Sequence, residues 1–355
     1  MKIALITDTH YGVRNDSVTF ANFQNKFFDE VFLPYLKENR ITEVIHLGDL
    51  MDRRKYVNYV TLKNVKDNFI LPLIKERIAV NIIVGNHDTY YKNTNAVNGI
   101  NELFSNIDPT SFQIWWDKPV EVVYDGLKIM LCPWICEDNY AETMKAIEET
   151  DARVLMGHLE LQGFEMHRGS ICDHGQTADA FSKFDLVCSG HFHHKSTHGN
   201  IAYLGSPYEM TWNDYGDPRG FHIFDTDTRA ITFVRNPYSI FHKIEYSDAD
   251  MTIEDIGLLE TNGLTGTYIK VIVKEKTNPY LFDLFIDKLQ QSGASDIKVV
   301  DDHLNLDLTD DDSIVDEAQD TLTIMNKYIE TIEFRGDKKR VEHFIRELYQ
   351  EAVNL

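Results

Sequence analysis

The stretch Ile3-Ala4-Leu5-Ile6-Thr7-Asp8-Thr9-His10 joins an apolar run to an aspartate and a histidine two residues apart. A short apolar run of this kind is typical of a strand buried in a sheet that is covered on both faces. In such sheets, ligands gather at the carboxyl ends of the strands. The stretch therefore predicts that Asp8 and His10 lie at a functional strand end of an α/β fold.

Four later stretches repeat this design, in which a mainly apolar run ends at a glycine followed by polar side chains. The runs cover residues 44–47, 81–84, 154–156 and 186–188. Their polar ends are Gly48-Asp49-Leu50-Met51-Asp52-Arg53, Gly85-Asn86-His87-Asp88, Gly157-His158 and Gly190-His191-Phe192-His193. Five strand ends of this kind can deliver their Asp, Asn and His side chains to one point.

These residue types suit a centre that holds two divalent ions. Two ions about 3.5–4 Å apart clamp the attacking and leaving oxygens of a phosphodiester. Imidazole suits Zn and Fe, whereas carboxylates and amide carbonyls also admit Mn and Mg. Asp8 and Asp49 neutralise only part of the charge of two ions, which leaves about +2 and favours a phosphate.

Each motif taken alone has a simpler interpretation. A lone Asp-x-His is common, Gly-Asp at a strand end is most often a turn, and a lone buried histidine is most often a core residue. All five motifs in this order, each after an apolar run, favour a phosphoesterase centre over these alternatives.

The motifs resemble those of the calcineurin-like metallophosphoesterase superfamily. Within it, the chain resembles the SbcD-type nuclease subunits of DNA double-strand-break repair complexes, especially their T-even bacteriophage branch. The resemblance extends over roughly residues 1–240. Further stretches that carry it are Pro133-Trp134, Gly163-Phe164, Gly205-Ser206-Pro207 and Asp217-Pro218-Arg219-Gly220-Phe221.

The resemblance implies a role for each site residue. Asp8, His10 and His193 would hold the first metal ion. Asn86, His158 and His191 would hold the second, with Asp49 bridging the two. His87 would act as the general acid for the leaving oxygen or would steady the transition state, and Asp88 would orient it. The cofactors would be two divalent ions, Mn2+ before Mg2+, and the nucleophile would be a metal-bound water.

One position departs from the family pattern. Cellular members carry a histidine, tied to the scissile phosphate, where this chain has Asp52. The basic residues Arg53, Arg54 and Lys55 follow it and could take over phosphate contacts. The alternative is a solvated basic turn.

The pattern of the first 240 residues predicts strands alternating with helices over 20–39, 61–77 and 140–150. Asp125-Gly126 between two strand-like runs predicts a β-hairpin. The expected fold is α/β, a metallophosphoesterase-type double β-sheet sandwich flanked by helices, spanning residues 1–240.

Two smaller parts are expected after it. Residues 241–302 would form a small β-α-β capping domain, with strands over 268–273 and 297–300 and a helix over 279–291. It resembles the domain that shapes the DNA groove in the nuclease family; the alternative is a packing module without substrate contact. Residues 303–355 would form an acidic linker and a C-terminal helical tail.

The tail carries apolar residues at helical spacing, such as Phe344 and Leu348. Such helices fold back on their own domain or dock on a partner, and docking is favoured. In the resembled complexes the partner is an SMC-like, SbcC-type ABC ATPase. The resemblance also implies a homodimer within a heterotetramer, because nuclease domains of the family pair through helices near the amino-terminal half. Residues 20–32, with five phenylalanines, offer such a helix. Packing of these rings in the core is the alternative.

Composition bears on substrate and compartment. The net charge of −22 predicts weak nonspecific attraction to DNA. However, residues 241–355 hold 25 acidic against 12 basic residues, so much of the negative charge lies away from the motifs.

The start of the chain predicts a strand rather than a secretory segment. Four cysteines without paired spacing fit free thiols, and the expected location is the cytoplasm, that of a bacterial host for a phage protein.

The predicted function is therefore a metal-dependent DNA exo- or endonuclease that acts with an ATPase in DNA recombination, repair and end processing, with a link to replication. A small-substrate phosphodiesterase or phosphatase of the same fold is the alternative, since fold does not settle substrate. A non-catalytic scaffold is disfavoured, because no ligand of the set is missing.

Overall fold

The structure is a computed structural model that describes residues 1–167 and 170–301. Within this part of the chain, Met1–Met210 and the residues from Asp214 onward form one compact unit. The predicted acidic linker and helical tail lie outside the described residues.

The strands in chain order are β1 (Lys2–Ile6), β2 (Glu43–His46), β3 (Ala79–Ile83), β4 (Phe112–Trp115), β5 (Val120–Tyr124), β6 (Leu127–Cys132), β7 (Val154–His158), β8 (Glu165–His167), β9 (Ser170–Ile171), β10 (Leu186–Gly190), β11 (Ser196–His198), β12 (Ile201–Tyr203), β13 (Gly220–Asp225), β14 (Ile231–Arg235), β15 (Phe241–Ser247), β16 (Tyr268–Glu275) and β17 (Asp296–Asp301). The helices are α1 (Val13–Asp16), α2 (Val18–Phe27), α3 (Leu33–Glu38), α4 (Tyr59–Val65), α5 (Leu71–Lys75), α6 (Gly99–Phe104), α7 (Tyr140–Glu149), α8 (Ile253–Leu258) and α9 (Pro279–Gln291).

Two six-stranded sheets form the body. The first has the order β14-β13-β1-β2-β3-β4 and the second β11-β12-β10-β7-β6-β5. Strands β1 to β4 run parallel in the first sheet, and β12, β10, β7 and β6 run parallel in the second. The carboxyl ends of all five motif-bearing strands therefore lie at parallel sheet edges, as the sequence predicts.

The two sheets pack face to face through a shared apolar core. The first sheet contributes Ile3, Leu5, Ile45, Leu47 and Ile83, and the second Ile129, Leu131, Val154, Met156 and Cys188. Each Ile, Leu, Val or Met side chain among them contributes roughly 1.5–3 kcal/mol on full burial. This confirms the predicted double-sheet sandwich. The predicted hairpin is also confirmed, since β5 and β6 pair antiparallel around Asp125-Gly126.

The helices predicted over 20–39 and 61–77 are both present, each with a π-helical segment inside. The segments are Phe28–Phe32 and Lys66–Ile70, and each ends two residues before Pro34 or Pro72. Proline lacks the amide for an i→i−4 bond and crowds the preceding turn, and a wider turn relieves this locally.

The phenylalanines of residues 20–32 are mostly used within the chain. Phe27, Phe28 and Phe32 are fully buried, and their rings contact Tyr208 or Phe221. Phe20 contacts the rings of Phe241 and Tyr268. The alternative of core packing therefore accounts for these rings, and they give no support to a dimer contact.

A separate three-stranded parallel sheet, β15-β16-β17, lies in residues 241–301. Helix α9 begins with the side chain of Asn278 accepting from the amides of Tyr280 and Leu281, and with Pro279 in its first turn. Its apolar face packs with this sheet around Tyr246, Val271 and Phe285. The sequence predicts β16, α9 and β17, but β15 was missed.

All four cysteines are buried and free, in agreement with the expectation of free thiols. Among the described residues, no helix has the length and apolar character needed to span a membrane.

Candidate metal centre

The five strand ends place the predicted site residues together. Three groups have ligand atoms within 4.8 Å of one another: Asp8 with His10 and His193, His10 with Asp49 and His87, and Asp49 with His158 and His191. His10 and Asp49 each belong to two groups. The predicted ligands therefore form one continuous cluster.

In the first group, two imidazole rings approach each other through their Nε2 atoms, with their planes inclined at 62°. The Nε2 atoms of His10 and His193 are 3.0 Å apart, and Asp8 Oδ1 is 3.9 Å from His10 Nε2. Two facing ring nitrogens beside a carboxylate form a donor set that fits a divalent ion.

The second group includes an amide oxygen. Asn86 Oδ1 lies 2.9 Å from His158 Nε2 and 2.9 Å from His191 Nδ1. His158 Nδ1 lies 2.7 Å from the carbonyl oxygen of Leu47. When Nδ1 carries the proton and donates to that carbonyl, Nε2 keeps a lone pair for a cation. These residues also fit a divalent ion.

Asp49 lies between the two groups. Its Oδ2 atom is 3.3 Å from His158 Nε2 and 3.7 Å from His10 Nε2. Burial alone would raise the pKa of Asp49, but His158 and His87 beside it hold this pKa well below its usual range. The carboxyl therefore stays ionised, as a shared ligand requires.

Several of these residues have left-handed backbone conformations. The φ angles are 52° at Asp8, 42° at His10, 55° at Asp49 and 88° at His191. Such conformations are costly for residues other than glycine and cluster at functional sites. Hydrogen bonds hold them here, since the His191 amide donates to Asp8 Oδ1 (3.1 Å) and the His87 amide to Asp49 Oδ1 (2.8 Å).

Two motif glycines allow ligand loops to approach closely. A Cβ atom on Gly85 would overlap Asp49 Oδ1 and the Asp49 amide. A Cβ atom on Gly190 would overlap Thr7 Oγ1 and lie 3.0 Å from Asp8 Oδ2. Gly85 and Gly190 are therefore needed because a side chain at either position would keep the ligand loops apart.

His87 and Asp88 lie at the centre but do not pair as expected. His87 Nδ1 contacts the main-chain oxygen of Asp52 at 2.7 Å. The Asp88 carboxylate instead accepts from the amides of Asp49 (2.8 Å), Met51 (3.0 Å) and Gly85 (2.9 Å). Its pKa is raised to about 7 by burial and by the charge of Asp49. Asp88 thus fixes the loops around His87, and the carbonyl of Asp52 takes the expected place behind the ring.

The residues after Asp49 differ in what they contact. The Asp52 carboxylate lies 3.3 Å from His10 Nδ1. Arg53 pairs with Asp16 (2.7 Å) and Asn15 (2.5 Å). The Arg54 Nε atom is buried and has no hydrogen-bond partner among residues 1–167 and 170–301. Arg54 therefore keeps a donor that is unpaired within the described part of the chain, whereas Arg53 is occupied.

Sequence reasoning missed two neighbours of His191. Glu160 Oε1 lies 3.4 Å from His191 Nε2, and the Trp134 ring centroid lies 5.1 Å from that of His191. Trp134 belongs to a stretch that was noted only for its resemblance. Glu160, two residues after His158, carries no signal that separates it from an ordinary surface glutamate.

Comparison with known proteins places this centre in a family. Residues 1–195 match the calcineurin-like phosphoesterases. The chain belongs to the calcineurin-like phosphoesterase family. It is also 32% identical over 356 residues to exonuclease subunit 1 of Enterobacteria phage T4, covering 99% of this chain and 100% of that protein. The resemblance drawn from the motifs is thereby confirmed.

Two solved structures give weaker matches. An archaeal phosphodiesterase is 13% identical with a TM-score of 0.33, over 66% of this chain and 100% of that one. A purple acid phosphatase, PPD1 from yellow lupin (Lupinus luteus), is 12% identical with a TM-score of 0.37, over 66% and 52%. Similarity this low says nothing about the substrate. Membership of the phosphoesterase family and the three donor groups together support divalent metals at the centre.

Proposed function

We propose that the protein is the nuclease subunit of a DNA-processing complex and hydrolyses phosphodiester bonds at this centre. The observation that carries the proposal is the complete donor set, in which each predicted ligand lies beside the others. The full-length similarity to a phage exonuclease subunit supports DNA as the substrate.

The residues divide between two ions as follows. Asp8, His10 and His193 would hold one, and Asn86, His158 and His191 would hold the other. Asp49 would contribute to both, consistent with its distances to His10 and His158. When bound, two divalent ions such as Mn2+ or Mg2+ would activate a water and neutralise the charge of the phosphodiester.

His87 is proposed as the general acid. Its Nδ1 donates to the carbonyl of Asp52, which orients the ring and leaves Nε2 outside that contact. Nε2 carries a proton only in the doubly protonated ring, a form that burial disfavours by lowering the pKa of His87. In the protonated ring, Nε2 gives its proton to the leaving oxygen as the P–O bond breaks. Asp88 supports this indirectly, because it fixes the amides of Gly85 and Asp49 on either side.

Arg54 is proposed as the main phosphate contact of the basic turn. Its Nε lacks a partner among the described residues, whereas Arg53 is occupied by Asp16 and Asn15. Asp52 is better placed to orient His10 than to contact a phosphate, because its carboxylate is 3.3 Å from the His10 ring.

The proposal includes partners. The phage relative is named a subunit, and the acidic chain needs help to hold DNA. We propose that the tail, residues 314–355, docks on an SMC-like ATPase of the SbcC type, in the cytoplasm. For the proposed homodimer, the exposed apolar side chains at the start of α4 offer a contact, with Tyr59 85% and Val60 73% exposed.

A digestion assay tests the nuclease proposal. Linear duplex DNA and a chromogenic phosphodiester are each incubated with the full chain and Mn2+, with and without the ATPase. Cleavage of DNA that is lost in EDTA and stimulated by the ATPase and ATP is expected. Hydrolysis of the small ester with no cleavage of DNA in either condition would favour the small-substrate alternative.

The tail is tested by truncation. Removal of residues 314–355 should leave Mn2+-dependent cleavage of short DNA unchanged and abolish co-purification with the ATPase. The pair Phe344→Asp and Leu348→Asp should give the same loss. A fall of many degrees in the melting temperature of this double variant alone would instead indicate that the tail packs on its own domain.

A further inference from the structure

The segment Tyr203–Tyr208 runs from the end of β12 and contains the stretch Gly205-Ser206-Pro207, to which the proposed chemistry gives no role. It contacts three of the loops that carry candidate ligands. We propose that this segment is a brace that positions both halves of the metal centre, with Tyr208 acting on the first ion site and Tyr203 on the second. This inference rests on the proposed metal centre.

Tyr208 acts on the loop of Asp8 and His10. Its side chain is 1% exposed, and its hydroxyl donates to the carbonyl oxygen of Thr9 at 2.5 Å. Thr9 lies between two ligands that both have left-handed backbone conformations. A hydrogen bond to the peptide between them opposes relaxation of either residue.

Two other side chains hold the same residue. Gln24 Nε2 donates to the Thr9 carbonyl at 3.2 Å, and Thr9 Oγ1 lies 3.0 Å from His46 Nε2. Thr9 is therefore fixed by α2, by β2 and by the brace. Tyr208 follows β12, a strand of the second sheet. Its hydrogen bond therefore connects the loop of Asp8 and His10, which follows a strand of the first sheet, to the second sheet.

Tyr203 acts on the loop of His158. Its hydroxyl donates to the carbonyl of Leu159 at 2.9 Å and accepts from the amide of Leu161 at 3.2 Å. Leu159 directly follows His158, and all three of these residues are buried. Tyr203 thus fixes the chain direction immediately after a ligand of the second ion.

The middle of the brace holds the loop of His193. The Ser206 amide donates to the His193 carbonyl at 3.1 Å. Arg219 Nη1 donates to the same carbonyl and to Ser206 Oγ. Gly205 has φ 72°, and a Cβ there would lie 2.8 Å from the His193 carbonyl. Glycine is therefore required for the brace to approach this loop.

These contacts define an element outside the ligand set that touches carbonyls beside His10, His158 and His193. Groups that support ligands commonly change metal affinity by roughly 10–100-fold when removed. Removing a hydroxyl group of the brace should therefore lower the affinity for metal ions, and this loss can be measured separately from any loss of fold stability.

The test uses Tyr208→Phe and Tyr203→Phe, which remove only the hydroxyl groups. Tyr246→Phe is the matched control, because Tyr246 is also buried and its hydroxyl contacts Asp248 at 3.3 Å, away from the centre. Mn2+ binding to the full chain is measured by calorimetry. Anomalous density from crystals at sub-saturating Mn2+ gives the occupancy of each site.

We expect Tyr208→Phe to lower affinity roughly tenfold, with lost occupancy beside Asp8, His10 and His193. Tyr203→Phe should lose occupancy beside Asn86, His158 and His191. The control should match wild type. Unchanged isotherms for both variants, or equal losses at both sites accompanied by a lowered metal-free melting temperature, would overturn the brace. Absence of Mn2+ binding by the wild type would instead refute the metal centre itself.

Discussion

The Nδ1 atom of His87 lies 2.7 Å from the main-chain oxygen of Asp52. This contact joins the loop after β3 to the loop after β2, so the ring is oriented by backbone rather than by a carboxylate. A neutral carbonyl behind an imidazole fixes its tautomer without adding charge. The position of His87 therefore depends on the conformation of residues 49–52.

We expect His87→Ala to reduce DNA cleavage by roughly 10²–10⁴-fold, the usual contribution of a general acid. Mn2+ stoichiometry should stay unchanged, because the proposed ligands remain. Cleavage rates and calorimetric titrations check this, with the exposed His198→Ala as control. Wild-type cleavage by His87→Ala with metals bound would show that the acid role is wrong.

The basic turn gives a contrast between two arginines. Arg54→Gln should weaken DNA binding and reduce the slope of log affinity against log salt by about 1, because one phosphate contact is lost. Arg53→Gln should change the slope little, since Arg53 is paired with Asp16. Binding to short duplex DNA over a salt series measures both. Equal slopes for Arg54→Gln and wild type would contradict the assignment.

Metal binding should stabilise the folded chain. An ion that binds only the native state adds about 2.7 kcal/mol at 100 times its dissociation constant. Mn2+ should therefore raise the melting temperature by a few degrees, and EDTA should reverse the change. Asp49→Asn should abolish this response, because Asp49 lies between both groups. Asp67→Asn, on the surface of the helical segment after α4, should retain it.

Glu209 predicts a pH dependence of stability outside the metal centre. Burial raises the pKa of Glu209 from 4.5 to about 7, while its Oε2 accepts from the amides of Ile240 (2.8 Å) and Phe241 (3.1 Å). The folded state thus keeps the proton to higher pH than the unfolded state. Its contribution to stability is complete below about pH 4.5 and is lost as pH rises through about 7.

Glu209→Gln should remove this part of the pH dependence. The difference in unfolding free energy between wild type and variant, measured in EDTA from pH 4.5 to 8, should therefore change with pH. Exposed Glu245→Gln serves as the control. A difference that stays constant across this range would mean that Glu209 does not titrate in it.

Sequence alone predicted the fold class and which Asp, Asn and His side chains would lie together at the strand ends. Apolar runs such as Ile3–Ile6 mark buried strands because only such runs are stable between two covered faces. Parallel strands present their carboxyl ends at one edge, so the residues after each run were predictable as neighbours. The turn at Asp125-Gly126 and the helix over 279–291 were likewise predicted from local sequence, and the structure adds that Asn278 caps the start of the helix.

Only the tertiary structure showed which residues hydrogen-bond to the loops that carry the candidate metal ligands. Asp88 faces backbone amides rather than His87, and Tyr208 reaches Thr9 across 199 positions of sequence. It also decided that Phe27, Phe28 and Phe32 pack in the core, although their pattern alone also allowed a partner surface. Strand and turn signals act between near neighbours in the chain. Hydrogen bonds to the ligand loops depend on how the two sheets pack face to face. No local sequence pattern specifies how close two segments remote in the sequence come in that packing.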